Sequence, residues 1–159
     1  MKSILFTILI LLNFAVFSQK AIYNPSEDAK KSLDSCLSIA KKQNKHILIQ
    51  IGGNWCKWCI EFHRFANADK KIDSVLKTDF VYYLLNYSKE NKNAELLSTL
   101  DFPQRFGFPV FVVLDGKGKR LHTQNSAYLE DGDKSYDAKK VLEFLEHWNI
   151  KAVNPENYQ

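Results

Sequence analysis

The chain has 159 residues, and its 22 Lys and Arg residues exceed its 18 Asp and Glu residues enough to give a formal charge of only +4. This small excess is spread along the chain, which excludes the basic signature of a nucleic-acid-binding protein. The length fits one domain, and such a domain can build a hydrophobic core without disulfide bridges. The three cysteines are therefore not expected to form a structural framework.

The amino-terminal residues 1–18 have the pattern of a secretory signal peptide. Lys2 supplies a positive charge, residues 4–17 form an apolar run too short for a mature transmembrane helix, and Ser18 is a small residue at the expected cleavage point. An uncleaved membrane anchor is the alternative. We expect residues 19–159 to form a single periplasmic or secreted domain without a stable membrane anchor.

A first amphipathic helix is predicted to begin at Asn24-Pro25-Ser26-Glu27, with Asn24 as its N-cap and Pro25 at the first helical position. Its apolar stripe consists of Ala29, Leu33, Cys36, Leu37 and Ala40. Free cysteine is among the most buried residue types, so Cys36 is interpreted as a small buried hydrophobe. A regulatory or intermolecular role for this thiol is the alternative.

The motif Trp55-Cys56-Lys57-Trp58-Cys59 lies between a predicted strand at 46–51 and a segment with helical spacing at 60–66. Cys56 is thus expected where the strand's carboxyl end meets the helix amino end. There, unpaired backbone N–H groups and the helix dipole stabilise a thiolate, as does the neighbouring Lys57, so the Cys56 pKa should lie below that of a free thiol. We interpret Cys56 as the nucleophile and Cys59 as the resolving thiol.

The remaining pattern predicts an α/β domain. A short helix at 72–76 precedes an apolar run at 80–85 that is suited to a buried central strand parallel to the first. Further elements are a helix at 94–100, a strand at 110–114, a tight turn at 115–118, an antiparallel strand at 120–123, a polar surface loop at 124–136 and a final helix at 138–148.

From Leu33 to Trp148, the chain resembles the thioredoxin superfamily, and in particular exported members similar to the carboxy-terminal domain of the thiol:disulfide interchange protein DsbD. The cysteine motif, Gly107-Phe108-Pro109 before a strand, and the terminal order of strand, turn, strand and helix carry this resemblance. It implies a thioredoxin fold, with a central mixed sheet flanked by helices and an extra amino-terminal helix. It also implies a cis Pro109 against the cysteine pair, where the preceding backbone can pair with an incoming peptide.

A site-shaping or substrate-binding role is predicted for five residues around the cysteines: Trp55, Lys57, Trp58, Phe108 and Pro109. Trp58 departs from the family, because many members carry proline there. A bulky indole at this position can shield the site or contribute to a docking surface.

A second departure concerns proton transfer to and from the second cysteine. Family members often place a buried acid six residues before the first cysteine, but this chain has Gln50, which is a poor proton acceptor. The candidates for a proton relay are therefore the Gln50 position itself, Glu61 and His63. His63 follows Cys59 by four residues and so shares its helical face.

These features predict a thiol:disulfide oxidoreductase that acts on the thiols and disulfides of exported proteins and exchanges electrons with an unidentified redox partner. The alternative is a binding or chaperone-like module on the same fold with a static Cys56–Cys59 disulfide. A zinc site is not expected, because one cysteine pair accompanies four isolated histidines. No cofactor is expected either.

Overall fold

The computed structural model describes residues 21–159, so the expected signal peptide lies outside the described residues. The helices and strands are α1 (Ala29–Gln43), β1 (His46–Gly52), α2 (Lys57–Ala68), α3 (Lys70–Asp79), β2 (Phe80–Asn86), α4 (Ala94–Thr99), β3 (Val110–Leu114), β4 (Arg120–Asn125) and α5 (Ala138–His147). Within this part of the chain, no helix is both long enough and apolar enough to cross a membrane.

The four strands form one mixed sheet in the order β2-β1-β3-β4. β1 pairs with β2 in parallel, and it pairs with β3 in antiparallel orientation, with Ile49 opposite Val112. β4 returns antiparallel to β3, as the tight turn predicted. The sheet is flanked by helices and preceded by α1, which confirms the thioredoxin fold implied by the resemblance.

Every residue of β1 is buried, because both faces of this central strand are covered. Ile47, Ile49 and Ile51 belong to the core beneath α1 and α4, whereas Leu48 belongs to the core on the opposite face, with residues of α2 and α5. This alternation follows from the two-residue period of a strand. Gln50 shares the face of Leu48 and is thereby directed toward α2.

The prediction that 80–85 forms a central strand is wrong in position, because β2 lies at the edge of the four-stranded sheet. Its apolar character has a different cause. α1 contacts β2 on one side and α3 contacts it on the other, so both faces of this edge strand are covered. An apolar run indicates that both faces of a strand are buried. It does not indicate whether the strand has a hydrogen-bonded neighbour on each side.

The predicted N-cap of the first helix is also wrong. Asp28 occupies this position, and its side chain accepts the Lys31 backbone N–H at 3.1 Å. Asn24 instead accepts the Ser26 backbone N–H at 3.0 Å, within the turn before the helix. Both interactions use a short polar side chain to satisfy a backbone donor, so the residue type alone does not distinguish a cap from a turn.

Cys36 lies on the apolar stripe of α1 as predicted, but its side chain is only partly buried. It packs against the core beneath α1. This partial burial, with a smaller effect of Glu27, raises the pKa of the Cys36 thiol. The thiol is thus predominantly protonated and less nucleophilic at neutral pH.

The segment 124–136 is not simply the surface loop that its polar and acidic sequence predicted. It contains a 3₁₀ helix, Ser126–Leu129, and the side chains of Leu129 and Tyr136 are buried. Tyr136 packs edge-to-face on Phe62 of α2, with ring centroids 5.0 Å apart. The acidic residues at 130–133 make the segment look like a surface loop in the sequence. Leu129 and Tyr136 nevertheless pack it against the core.

The buried face of β1 gives a direct test of this packing. Ile49→Ala should lower the free energy of unfolding by about 3 kcal/mol, because it removes a fully buried side chain and leaves a cavity. Ile39→Ala is the matched control, since Ile39 is 43% exposed on α1 and should lose less than about 1 kcal/mol. Urea unfolding followed by tryptophan fluorescence measures both values. Equal losses would contradict the assigned core.

Candidate redox site

The cysteine pair lies where β1 ends and α2 begins, as the sequence predicted. Cys56 and Cys59 form a disulfide, with Cys56 at the N-cap of α2. Cys56 has an extended backbone conformation, and its Sγ accepts the Cys59 backbone N–H at 3.1 Å. The side chain of Cys59 is fully buried, whereas Cys56 retains 6% exposure. An incoming group therefore reaches the sulfur of Cys56 first.

The position of Cys56 favours a thiolate when the disulfide is reduced. The first N–H groups of a helix have no partners within the helix, and they carry the positive end of its dipole. The Cys59 N–H belongs to this first turn and is shared between Cys56 Sγ and the Cys56 carbonyl oxygen, each at 3.1 Å. A hydrogen bond to an ionised sulfur is stronger than one to a neutral acceptor. Cys59, one helical turn later and fully buried, has less of this stabilisation.

The bond between Phe108 and Pro109 is cis, as the resemblance implied. Gly107 precedes it with φ near 90°, a conformation that side-chain-bearing residues rarely adopt, and β3 begins directly after Pro109. Phe108 packs against the core cluster that contains Cys56, Cys59 and Tyr23. The loop before β3 thus lies against the cysteine pair.

Three aromatic side chains, which we call the aromatic rim, border the site: Trp55, Tyr87 and Phe108. Trp55 is 57% exposed, yet its Nε1 donates to the Tyr87 carbonyl oxygen at 2.8 Å. The Phe108 ring lies 5.3 Å from that of Trp55 and 4.8 Å from that of Tyr87, measured between centroids. Trp55 is thus the exposed member of the rim and is held in place by a hydrogen bond, whereas Tyr87 and Phe108 are partly buried.

The two residues between the cysteines have different environments. Lys57 is exposed, whereas Trp58 is partly buried and packs edge-to-face on Tyr136 at 5.5 Å. The Tyr136 hydroxyl donates to the Trp58 carbonyl oxygen at 3.1 Å and so supports the first turn of α2. Sequence reasoning missed Tyr136, which stands in a polar segment 77 positions after Cys59 in a region that looks like a surface loop.

Gln50 is fully buried behind the disulfide and takes part in three hydrogen bonds. Its Nε2 donates to the Tyr23 hydroxyl oxygen at 2.6 Å and to the Cys59 carbonyl oxygen at 2.9 Å. Its Oε1 accepts a hydrogen bond from the Tyr82 hydroxyl. Burial raises the pKa of both Tyr23 and Tyr82 well above the ordinary phenol value, so both remain protonated at neutral pH.

Glu61 and His63, the other residues considered for a proton relay, lie on α2. The Glu61 carboxylate accepts hydrogen bonds from Arg64 at 2.7 and 2.8 Å and from Ser135 at 2.5 Å, and the Arg64 interaction lowers the Glu61 pKa. The His63 ring stacks on Tyr82, with centroids 6.3 Å apart. Desolvation lowers the His63 pKa, which favours the neutral imidazole at pH 7.

Sequence reasoning did not identify the two phenols that contact Gln50. Tyr82 belongs to the apolar run of β2, where an aromatic residue is ordinary, and Tyr23 precedes all predicted elements. No motif marks either residue. The one available signal was Gln50 itself, because a buried amide in a central strand requires hydrogen-bond partners. Within residues 21–159, no group of three or more His, Cys, Asp or Glu side chains is arranged to hold a metal ion.

Comparison with known proteins agrees with this geometry. The family model described as thioredoxin-like matches residues 28–116. No curated protein matches the sequence. A disulphide isomerase from Xylella fastidiosa Temecula1 superposes with a TM-score of 0.70 at 22% identity, over 80% of this chain and 95% of that chain.

Two other solved structures share the fold. The DsbD carboxy-terminal domain of Neisseria meningitidis, in its oxidised form, has a TM-score of 0.57 at 15% identity, over 77% of this chain and 97% of that chain. A thioredoxin from Thermus thermophilus has a TM-score of 0.55 at 16% identity, over 79% of this chain and 92% of that chain. At these identities, the similarity establishes the fold alone.

The close approach of β1 to the disulfide generates a test of the site's packing. A β-carbon added to Gly52 would lie 2.4 Å from Cys59 Sγ and 2.9 Å from the Tyr23 hydroxyl oxygen. Gly52→Ala should therefore lower the free energy of unfolding of the oxidised protein by about 2 kcal/mol through overpacking. Denaturant unfolding measures this loss.

Gly116→Ala is the matched control, because a β-carbon there would meet its nearest atom, the Lys45 carbonyl oxygen, at 3.7 Å. This ordinary contact should leave stability almost unchanged. If Gly52→Ala were as stable as Gly116→Ala, the described packing of Gly52 against Cys59 would be incorrect.

Proposed function

The chain belongs to the thioredoxin-like family, and we propose that it is a thiol:disulfide oxidoreductase whose Cys56–Cys59 pair exchanges with the thiols and disulfides of exported proteins. The observation that carries this proposal is the position of Cys56. Its sulfur caps α2 and accepts the Cys59 N–H, and the residue keeps 6% exposure whereas Cys59 is fully buried. A static disulfide needs neither this helix position nor the exposed Trp55 beside it.

In the reducing direction, the Cys56 thiolate attacks one sulfur of a client disulfide. A Cys56–client bond forms, the client disulfide breaks, and the first client sulfur leaves as a thiolate. The Cys59 thiolate then attacks Cys56 Sγ, which forms the Cys56–Cys59 disulfide and releases the second client thiolate. Two electrons pass from the cysteine pair to the client, and solvent protonates the client thiolates. The reverse sequence oxidises a client dithiol.

The order of attack follows from accessibility. Cys59 is fully buried beneath the first turn of α2, so a folded client cannot reach its sulfur directly. Cys56 keeps 6% exposure and directly follows Trp55 of the aromatic rim. Cys36 is held in α1, and its thiol belongs to the core beneath that helix rather than to the cluster that contains the pair.

The aromatic rim is suited to a protein client. Trp55 presents a large apolar surface that is fixed by its hydrogen bond to Tyr87, so little side-chain entropy is lost on binding. The proposal that clients are exported proteins is supported by the signal-peptide pattern of residues 1–18.

Trapping distinguishes this enzyme from a binding module with a static disulfide. Cys59→Ser should accumulate mixed disulfides through Cys56 when it is mixed with a disulfide-bonded peptide, because no resolving thiol is adjacent. Cys56→Ser should accumulate at least about tenfold less, since Cys59 is buried and lacks the helix-terminal position. Non-reducing gels and mass spectrometry of the adducts measure both yields.

Cys36→Ala should be introduced into both variants so that the third thiol cannot form adducts. The Cys36→Ala protein with both site cysteines is the reference for normal turnover. Equal trapping by the two variants, or no trapping by either, would overturn the oxidoreductase proposal in favour of the binding module.

A further inference from the structure

Tyr23 places a phenol hydroxyl beside the buried sulfur of the cysteine pair. Cys59 Sγ and the Tyr23 hydroxyl oxygen both border the small space where a β-carbon on Gly52 would lie, at 2.4 and 2.9 Å from that point. Tyr23 is 3% exposed and forms a common apolar cluster with Cys56 and Cys59. A buried hydroxyl can accept a hydrogen bond through its oxygen and donate one through its proton.

The hydrogen bonds around Gln50 determine the role of this hydroxyl. The Cys59 carbonyl oxygen can only accept, so the Gln50 atom beside it at 2.9 Å must be Nε2. The second hydrogen of Nε2 is donated to the Tyr23 oxygen at 2.6 Å. The Tyr23 oxygen is therefore an acceptor toward Gln50, and its own proton remains available for a different acceptor.

A short segment before α1 holds Tyr23 in this position. The backbone N–H groups of Ile22 and Tyr23 donate to Asn54 Oδ1 at 2.9 and 3.0 Å, and Asn54 Nδ2 donates to the Tyr23 carbonyl oxygen at 2.9 Å. Asn54 lies two residues before Cys56. Residues 22 and 23 precede the span 28–116 that matches the family model.

We propose that Tyr23 donates a hydrogen bond from its hydroxyl to the Cys59 thiolate during resolution of the mixed disulfide. The inference rests on the proposed oxidoreductase function and deepens it. In the disulfide, Cys59 Sγ is a weak acceptor. Once Cys56 is bonded to a client, Cys59 is a free thiol, and ionisation turns its buried sulfur into a strong acceptor beside the Tyr23 hydroxyl.

The groups that face this site can supply hydrogen bonds but are poorly suited to accept a proton. Tyr23, Tyr82 and Tyr136 are phenols whose pKa values are raised chiefly by burial, and Gln50 is an amide. His63 lies behind Tyr82 on α2. Tyr23 therefore keeps its proton throughout, and the proton released by Cys59 passes to solvent.

The chemical step remains balanced with Tyr23 in this role. Cys59 loses its thiol proton to solvent, its thiolate attacks Cys56 Sγ, and the Cys56–client bond breaks as the Cys56–Cys59 bond forms. The client sulfur leaves with the electron pair. Tyr23 stabilises the attacking thiolate by a hydrogen bond and exchanges neither a proton nor an electron.

The test compares Tyr23→Phe with Tyr83→Phe. Tyr83 is also a buried tyrosine, but its hydroxyl donates to Glu27 at 2.8 Å and its ring belongs to the core beneath α1. In a Cys36→Ala, Cys56→Ser background, where Cys59 is the remaining thiol, Tyr23→Phe should raise the Cys59 pKa by about one pH unit. Tyr83→Phe should leave that pKa unchanged. Thiolate absorbance followed against pH gives both values.

In a Cys36→Ala background with both site cysteines present, Tyr23→Phe should slow resolution of a preformed mixed disulfide by roughly tenfold at pH 7. Attack of Cys56 on the disulfide peptide should change less than about twofold. Stopped-flow measurement of the two phases separates these rates. Gel filtration and circular dichroism confirm that each variant is folded.

The outcomes separate the inference from the function on which it rests. An unchanged Cys59 pKa together with an unchanged resolution rate in folded Tyr23→Phe would overturn the role of Tyr23 while wild-type turnover continued. An equal pKa rise in Tyr83→Phe would also overturn it, because the effect would then follow from any lost buried hydroxyl. Absence of disulfide exchange by the wild-type protein would instead reject the proposed function.

Discussion

The hydrogen bond from the Cys59 backbone N–H to Cys56 Sγ is the interaction on which the site depends. It exists because β1 ends at Gly52 and α2 begins directly after Cys56, so the sulfur replaces the side-chain oxygen that usually caps a helix. The buried strand fixes where the helix starts, and the helix supplies both the N–H group and the dipole. Fold and reactivity are thus coupled through one helix terminus.

Much of this arrangement could be predicted from the sequence, because local patterns specify it. The apolar run of β1, the cysteine spacing and the helical spacing after Cys59 together located the pair correctly at a strand–helix junction. The edge position of β2 could not be predicted in the same way. Its apolar residues reflect coverage by α1 and α3, and coverage leaves the same pattern in central and edge strands.

The parts of the site that sequence reasoning missed are contacts between distant segments. Tyr23, Gln50 and Tyr82 come from the segment before α1, from β1 and from β2, and Tyr136 joins α2 from a segment whose acidic residues resemble a surface loop. Each is an ordinary residue in its local context. The burial of Gln50 was the one signal for Tyr23 and Tyr82, since an amide in a dry environment must find donors and acceptors. The result is a neutral polar network in place of a single buried acid.

The central claim is that the Cys56–Cys59 disulfide is an exchanging redox centre. The most direct test is its equilibrium reduction potential against glutathione. It is measured in the Cys36→Ala variant, in which only Cys56 and Cys59 can react with glutathione. Our account predicts a value in the range of exchange-active thioredoxin-fold pairs, about −120 to −270 mV. A potential well below about −300 mV, where structural disulfides resist the glutathione pool, would contradict the claim and indicate a static bond.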